Sequence, residues 1–163
     1  KSKDAFLFCC YAGLRYSDFI NLTAANIVEL HQETWLIYKS VKTGIDVRLP
    51  LYLLFEGKGL RVLETYKDDL NGFFKLKDNS NVNKDLNALA KLAEIDKRIS
   101  FHTARHTNAT LLIYSGANIT TVQKLLGHKS VKTTQVYANI MDMTIVHDLE
   151  KAAYSKLANR PKS

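Results

Sequence analysis

Between Phe101 and Tyr137 the chain collects three histidines, an arginine and, at its end, a tyrosine. The run is Phe-His-Thr-Ala-Arg-His-Thr, then Leu-Leu-Gly-His-Lys, then Thr-Thr-Gln-Val-Tyr. These residue types exchange protons, bind anions and attack electrophiles. His102 and Arg105 stand three apart, and His106 lies one turn beyond His102, so on a helix of about 3.6 residues per turn all three share nearly one face. Gly127 suits the left-handed stop of a helix running through Leu126, which leaves His128 in the turn just beyond it. Ser130 suits the cap of a following helix that carries Tyr137 about two turns in. Two kinds of basic group and one phenol on short, sharply ended elements predict an anionic substrate and a covalent step. His106 reads equally as a satisfied core group that pins its helix.

The elements that must hold these groups follow from pattern. Ser2 to Gly13 reads as a helix, with Ala5, Phe6, Cys9 and Cys10 at helical spacing and Gly13 as the stop. Arg15 lies on a short turn before a brief helix through Leu22 that Ser17 can cap. From Ile27 to Leu49 the pattern becomes extended. Thr34 to Lys39 is rich in strand formers, Lys42-Thr43-Gly44 signals a turn, and Asp46 to Leu49 alternates before Pro50. Two or three antiparallel strands are expected, with Lys42 at the hairpin. A lone arginine on a turn, or a lone lysine in a hairpin, is ordinarily a solvated surface residue.

Further helices are expected over 60–70, ended by Asn71-Gly72, and from a cap at Asn81 through about Ala93, with Leu86, Leu89, Ala90 and Ala93 on one face. Residues 75–81 read as a loop. Helices over 102–115, 119–126, 131–138 and near 143–157 complete the set. Tyr11 and Tyr114 fall in apolar helical patterns and are expected in the core.

The bulk numbers bound the class. One hundred and sixty-three residues suit one domain, and 46% hydrophobic residues suffice for a core. A net charge of +7 favours a polyanionic partner, nucleic acid before membrane surface. The two cysteines, Cys9 and Cys10, are adjacent in an apolar run, which is neither a disulfide framework nor a metal-ligand pattern. No apolar run reaches the roughly 18 residues of a membrane span. The chain opens on Lys1 and enters a helical pattern almost at once, so it is expected to be an excised fragment. His102 and His106 are spaced as in the helix of zinc proteases, but that motif needs a glutamate after the first histidine, and Thr103 stands there. Neither a phosphate loop nor a serine elbow is visible.

Taken together, the scattered groups gain weight. Gly13-Leu14-Arg15 has Asp18 three residues on. Lys42 stands before Thr43-Gly44. His102-x-x-Arg105-His106-Thr107 and Leu126-Gly127-His128 follow, and Tyr137 comes nine residues after His128 in a Thr-Thr-x-x-Tyr context. In these boxes, their order and their spacing from residue 13 to residue 137, the chain resembles the tyrosine recombinases, or phage integrases. It departs in carrying Ala104 where the family commonly has leucine, a packing change.

The resemblance implies a mostly α fold with a small antiparallel sheet (α+β), the catalytic-domain fold of DNA breaking-rejoining enzymes, over 1–158 with a flexible tail at 159–163. The family's N-terminal core-binding domain is expected to be absent from this chain. The implied function is site-specific DNA recombination through a covalent 3′-phosphotyrosine intermediate, without metal, ATP or other cofactor. Arg15, Lys42, His102, Arg105, His128 and the nucleophile Tyr137 are implied as catalytic, and Asp18 and His106 as supporting. The implied partners are double-stranded DNA, further copies of the protein in a tetramer when full length, and accessory DNA-bending proteins, with no membrane. The implied setting is the bacterial cytoplasm, at the nucleoid. The rival readings are a type IB topoisomerase, against which the compact spacing argues, and a non-catalytic DNA-binding module, against which the intact set argues. The last helix, with Ile145, Val146, Leu149, Ala153 and Leu157, is expected to pack either on a neighbouring protomer or on its own domain.

Overall fold

Five phenylalanines set where the helices meet. Phe8 comes from α1 (Ser2–Ala12), Phe19 from α2 (Tyr16–Phe19), Phe73 and Phe74 from α4 (Leu70–Phe74), and Phe101 from the first position of α6 (Phe101–Tyr114). Phe19 is the hub. Its ring meets those of Phe73 and Phe74 at 5.4 Å, Phe101 at 5.8 Å and Phe8 at 6.2 Å, edge to face, as the aromatic quadrupole favours. The computed structural model in which this cluster sits describes residues 1–138 and Leu149.

Between α2 and the later helices lies one antiparallel sheet of β1 (Ile27–Leu30), β2 (Glu33–Lys39) and β3 (Asp46–Pro50), in that order. His31 and Gln32 join β1 to β2 with positive φ at both positions, the two-residue turn whose twist suits a hairpin. The register pairs Leu36 with Leu49 and Tyr38 with Val47. All four are buried, so alternate residues of β2 and β3 form the inner face of the sheet. Three more helices, α3 (Lys58–Glu64), α5 (Asn79–Leu92) and α7 (Ile119–Leu126), precede α8 (Val131–Ala138). The expected class, mostly helical with a small sheet, is the one observed.

Several local expectations are displaced. The helix expected over 60–70 ends at Glu64. Asn71-Gly72 does not break a helix but lies inside α4, because the Asp69 carboxylate accepts the Gly72 N–H at 2.8 Å and starts a new one. Asp78, not Asn81, caps α5, accepting the Asn81 N–H at 3.1 Å. Arg15, not Ser17, occupies the cap position of α2. On α5 the buried stripe is Val82, Leu86 and Ala90, with Leu89 and Ala93 exposed beside it. Tyr114 is exposed and Tyr11 half-buried, since the buried stripe of α6 runs through Ala104, Asn108, Ala109, Leu112 and Ile113 and turns Tyr114 outward. The expected helix near 143–157, Leu149 apart, and the tail lie outside the described residues. Among the described residues no helix is long and apolar enough to cross a membrane.

Two glycines end helices as expected. Gly13 closes α1 at φ 70° and Gly127 closes α7 at φ 60°. A Cβ on Gly13 would meet Asn108 Oδ1 at 2.6 Å and Leu126 Cδ2 at 2.8 Å. Gly13→Ala therefore combines a left-handed backbone with overpacking, and should lower unfolding free energy in urea by about 3 kcal/mol.

Candidate active site

Arg105 sits in the buried stripe of α6, 1% exposed. Its guanidinium donates to Gly13 O at 2.7 Å through Nη1 and to Leu126 O at 2.6 Å through Nη2. Those carbonyls lie at the C-terminal ends of α1 and α7, where a helix runs out of its own donors and carries the negative end of its dipole. One flat fork of donors thus ties three helices together. Burial lowers its pKa, with Arg15 adding to the effect, to about 10, so it stays cationic at neutral pH. A buried charge of this kind needs partners, and two carbonyls supply polar contact but no countercharge.

Arg15 approaches the same place from the start of α2. It donates to Ser40 Oγ at 3.2 Å and lies 3.5 Å from Asp18 Oδ2. Asp18 is buried and binds more than the arginine: its Oδ1 accepts the Val41 N–H at 2.8 Å and a bond from Ser40 Oγ at 3.3 Å. The carboxylate therefore orients Arg15 and anchors the β2–β3 turn. Thr43 Oγ1 anchors the far side of that turn on Gly127 O at 3.1 Å. Between the two hooks Lys42 is exposed, and its charge is felt at His102.

His102, His106 and Tyr137 form a row. The His102 and His106 rings are 4.4 Å apart, and His106 lies 5.3 Å from the Tyr137 ring. His106 is exposed, so the core reading of this residue is overturned: it stands one helical turn from His102 on the outer face of α6. Tyr137 is 7% exposed on α8. Its burial raises the phenol pKa, while Arg105 and Arg15 pull it down without fully offsetting the burial. His128 is buried, and its Nδ1 is engaged with Thr134 Oγ1 at 2.9 Å, which leaves Nε2 as the free ring atom. Burial, with Arg105 and then Arg15, pulls the His128 pKa down to about 4, and burial with His106 and Arg105 lowers that of His102. Both imidazoles are neutral near pH 7, able to accept a proton or donate an N–H.

The groups implied as catalytic gather in one region: the fields of Arg105 and Arg15 reach His102, His128 and Tyr137 alike, and that of Lys42 reaches His102. The model of the phage integrase family matches residues 1–143. The chain belongs to that family. A tyrosine recombinase of Thermosipho africanus is 34% identical over 149 residues, covering 87% of this chain and 50% of the relative. The chain spans about half the length of the curated relatives it matches. Among solved structures, that of the XerA recombinase superposes with a TM-score of 0.67 at 24% identity, covering 99% of this chain and 64% of that one. A lambda integrase tetramer bound to a Holliday junction gives 0.68 at 19% identity, covering 83% and 41%. At those identities the likeness establishes the fold, that of the integrase catalytic domains.

Pattern reading missed the supports of this integrase site. Ser40 bridges Arg15 and Asp18, and Thr134 holds His128. Asn83 accepts the Phe101 N–H at 2.7 Å and Asn87 pairs with the Ile99 backbone, so α5 pins the start of α6. Of these only Thr134 carried a signal, as part of the Thr-Thr-x-x-Tyr run.

The depressed His128 pKa has a definite sign. Between the folded value of about 4 and the unfolded value of 6.5 the unfolded chain binds more protons. The melting temperature should accordingly fall as pH drops from about 6.5 towards 4. His128→Asn keeps a polar atom near Nδ1 and should flatten that slope, which calorimetry across this range would read.

Proposed function

We propose that the chain cleaves and rejoins DNA strands through a 3′-phosphotyrosine at Tyr137, as the catalytic part of a site-specific recombinase. The observation that carries this is the convergence of two guanidinium groups, distant in the chain, on the surroundings of one buried phenol. Attack of a phenolic oxygen on a DNA phosphodiester forms a P–O bond to tyrosine and breaks the P–O bond to the 5′ oxygen. The five-coordinate phosphorus between these states carries extra negative charge. Arg15 and Arg105 each offer planar donors matched to phosphoryl oxygens, placed before the charge develops.

The phenol must lose a proton and the 5′ oxygen must gain one. His102 and His128, both neutral, supply N–H donors or accept the phenolic proton, and His106 supports the row against Tyr137. Lys42, exposed on a turn hooked to Asp18 and Gly127, delivers the proton to the leaving oxygen. Asp18 orients Arg15 and does not attack. Hydrolysis is not required for rejoining, because the tyrosyl ester keeps the phosphodiester energy for attack by a 5′ hydroxyl. Double-stranded DNA is the partner, and exchange of strands calls for a tetramer of the full-length protein; accessory DNA-bending proteins and a bacterial cytoplasmic setting belong to the same reading.

A nicked duplex that loses the short 5′ strand after cleavage should trap a slow-migrating protein–DNA species on a denaturing gel. Tyr137→Phe should abolish that species while DNA binding persists; a persistent adduct would assign the nucleophile elsewhere. Lys42→Ala should slow cleavage of ordinary DNA by about 100-fold, within the range of a lost general acid. A substrate whose bridging 5′ oxygen is sulfur should restore its rate, because a thiolate leaves without a proton. Failure of that rescue moves the acid to another residue.

A further inference from the structure

The inner face of β2 carries Tyr38 two residues before Ser40. Ser40, one residue past the end of β2, still donates its N–H to Ile45 O at 2.9 Å, so the strand's alternation carries on and the buried Tyr38 faces the same side, about 6.7 Å along, as the buried serine that joins Arg15 to Asp18. The residue is 6% exposed, and its hydroxyl is a buried polar atom with no hydrogen-bond partner among the described residues. Buried hydroxyls are nearly always paired, because an unpaired one has given up its bonds to water for nothing. Such groups survive where they serve something other than stability.

The surroundings say what that is. Burial first, and then the Asp18 carboxylate, push the Tyr38 pKa up, with Arg105 and Arg15 opposing. The O–H is therefore a firm donor within the field of a carboxylate. Asp18 has one short bond, from Val41 N–H at 2.8 Å. Its contacts with Ser40 and Arg15 are long, at 3.3, 3.4 and 3.5 Å. An ionised carboxylate accepts at about four lone-pair positions, so it has room for another donor. When Arg15 turns its donors to a phosphoryl oxygen, the carboxylate loses its cationic partner while still holding Val41 and the Lys42 turn.

Building on the phosphotyrosine reading, we infer that Tyr38 is a positioning residue of the arginine clamp: its hydroxyl, unpaired among the described residues, closes on the Asp18 carboxylate when Arg15 engages the scissile phosphate. The hydroxyl costs stability without DNA and returns it with DNA. It acts through Asp18, holding both the first arginine and the turn that carries Lys42.

Tyr38→Phe tests this with opposed readouts. In the free protein the variant should melt higher than wild type, since an unpaired buried hydroxyl is removed. In the non-cleaving Tyr137→Phe background, the rise in melting temperature on adding the nicked duplex should be smaller with Tyr38→Phe than without it. At saturating nicked substrate, single-turnover cleavage by Tyr38→Phe alone should fall about tenfold, the worth of one hydrogen bond. A lower melting temperature in the free variant would mean that the hydroxyl is paired already and overturns the inference. So does a full DNA-induced shift, or unchanged cleavage. If wild type itself forms no covalent adduct, the phosphotyrosine reading fails, and Tyr38 is judged on the two melting comparisons alone.

Discussion

The buried Arg105 guanidinium, held by the carbonyls of Gly13 and Leu126, is the contact on which the arrangement of the site depends. An isolated charge in a protein core is expensive, and this one is tolerated because it meets the negative ends of two helices with well-aligned donors. In return it fixes how α1, α6 and α7 approach one another. The two acceptors face inward because Gly13 and Gly127 adopt left-handed conformations at the helix ends. Arg15 follows Gly13 by two residues and His128 follows Gly127 directly, so the bonds that bury Arg105 also bring its partners to it.

This makes the site strongly positive before any substrate arrives. Two guanidinium groups share one region, and among the described residues the one carboxylate bridged to Arg15 is Asp18. The cost appears in the neighbours: both imidazoles are kept neutral, and the Tyr137 phenol stays protonated because burial outweighs the pull of the arginines. An incoming phosphate would neutralise the arginines, so that the surplus positive charge serves the bound state and not the free one.

The hairpin shows the same division between stability and use. Asp18 and Thr43 clasp its two sides, yet Lys42 between them stays exposed. On the inner face of β2 the Tyr38 hydroxyl, unpaired among the described residues, is a local loss. Unfilled hydrogen-bonding capacity of this kind is economical only if a later state fills it, which connects the inner face of β2 to the charge that Arg15 is positioned to meet.

Much of this was legible in the order of residues. Helix stops at Gly13 and Gly127, the turn at Lys42 to Gly44 and the shared face of His102 and His106 depend on local backbone preference and helical period, which act within a few residues. Boundaries at Asp69 and Asp78 were misplaced because several polar side chains competed to cap, and only the packed chain selects among them. Whether His106 faced core or solvent also turned on a neighbour, Tyr137 of α8, thirty-one residues away. The chain's pattern therefore determined which groups are present and on which elements they ride. Tertiary structure alone decided that Arg105 is buried against two helix ends, that Ser40 and Thr134 support the site, and that the Tyr38 hydroxyl is left unpaired among the described residues. Burial and hydrogen-bond pairing depend on segments meeting across the fold, and periodicity along one segment carries no record of what lies opposite it.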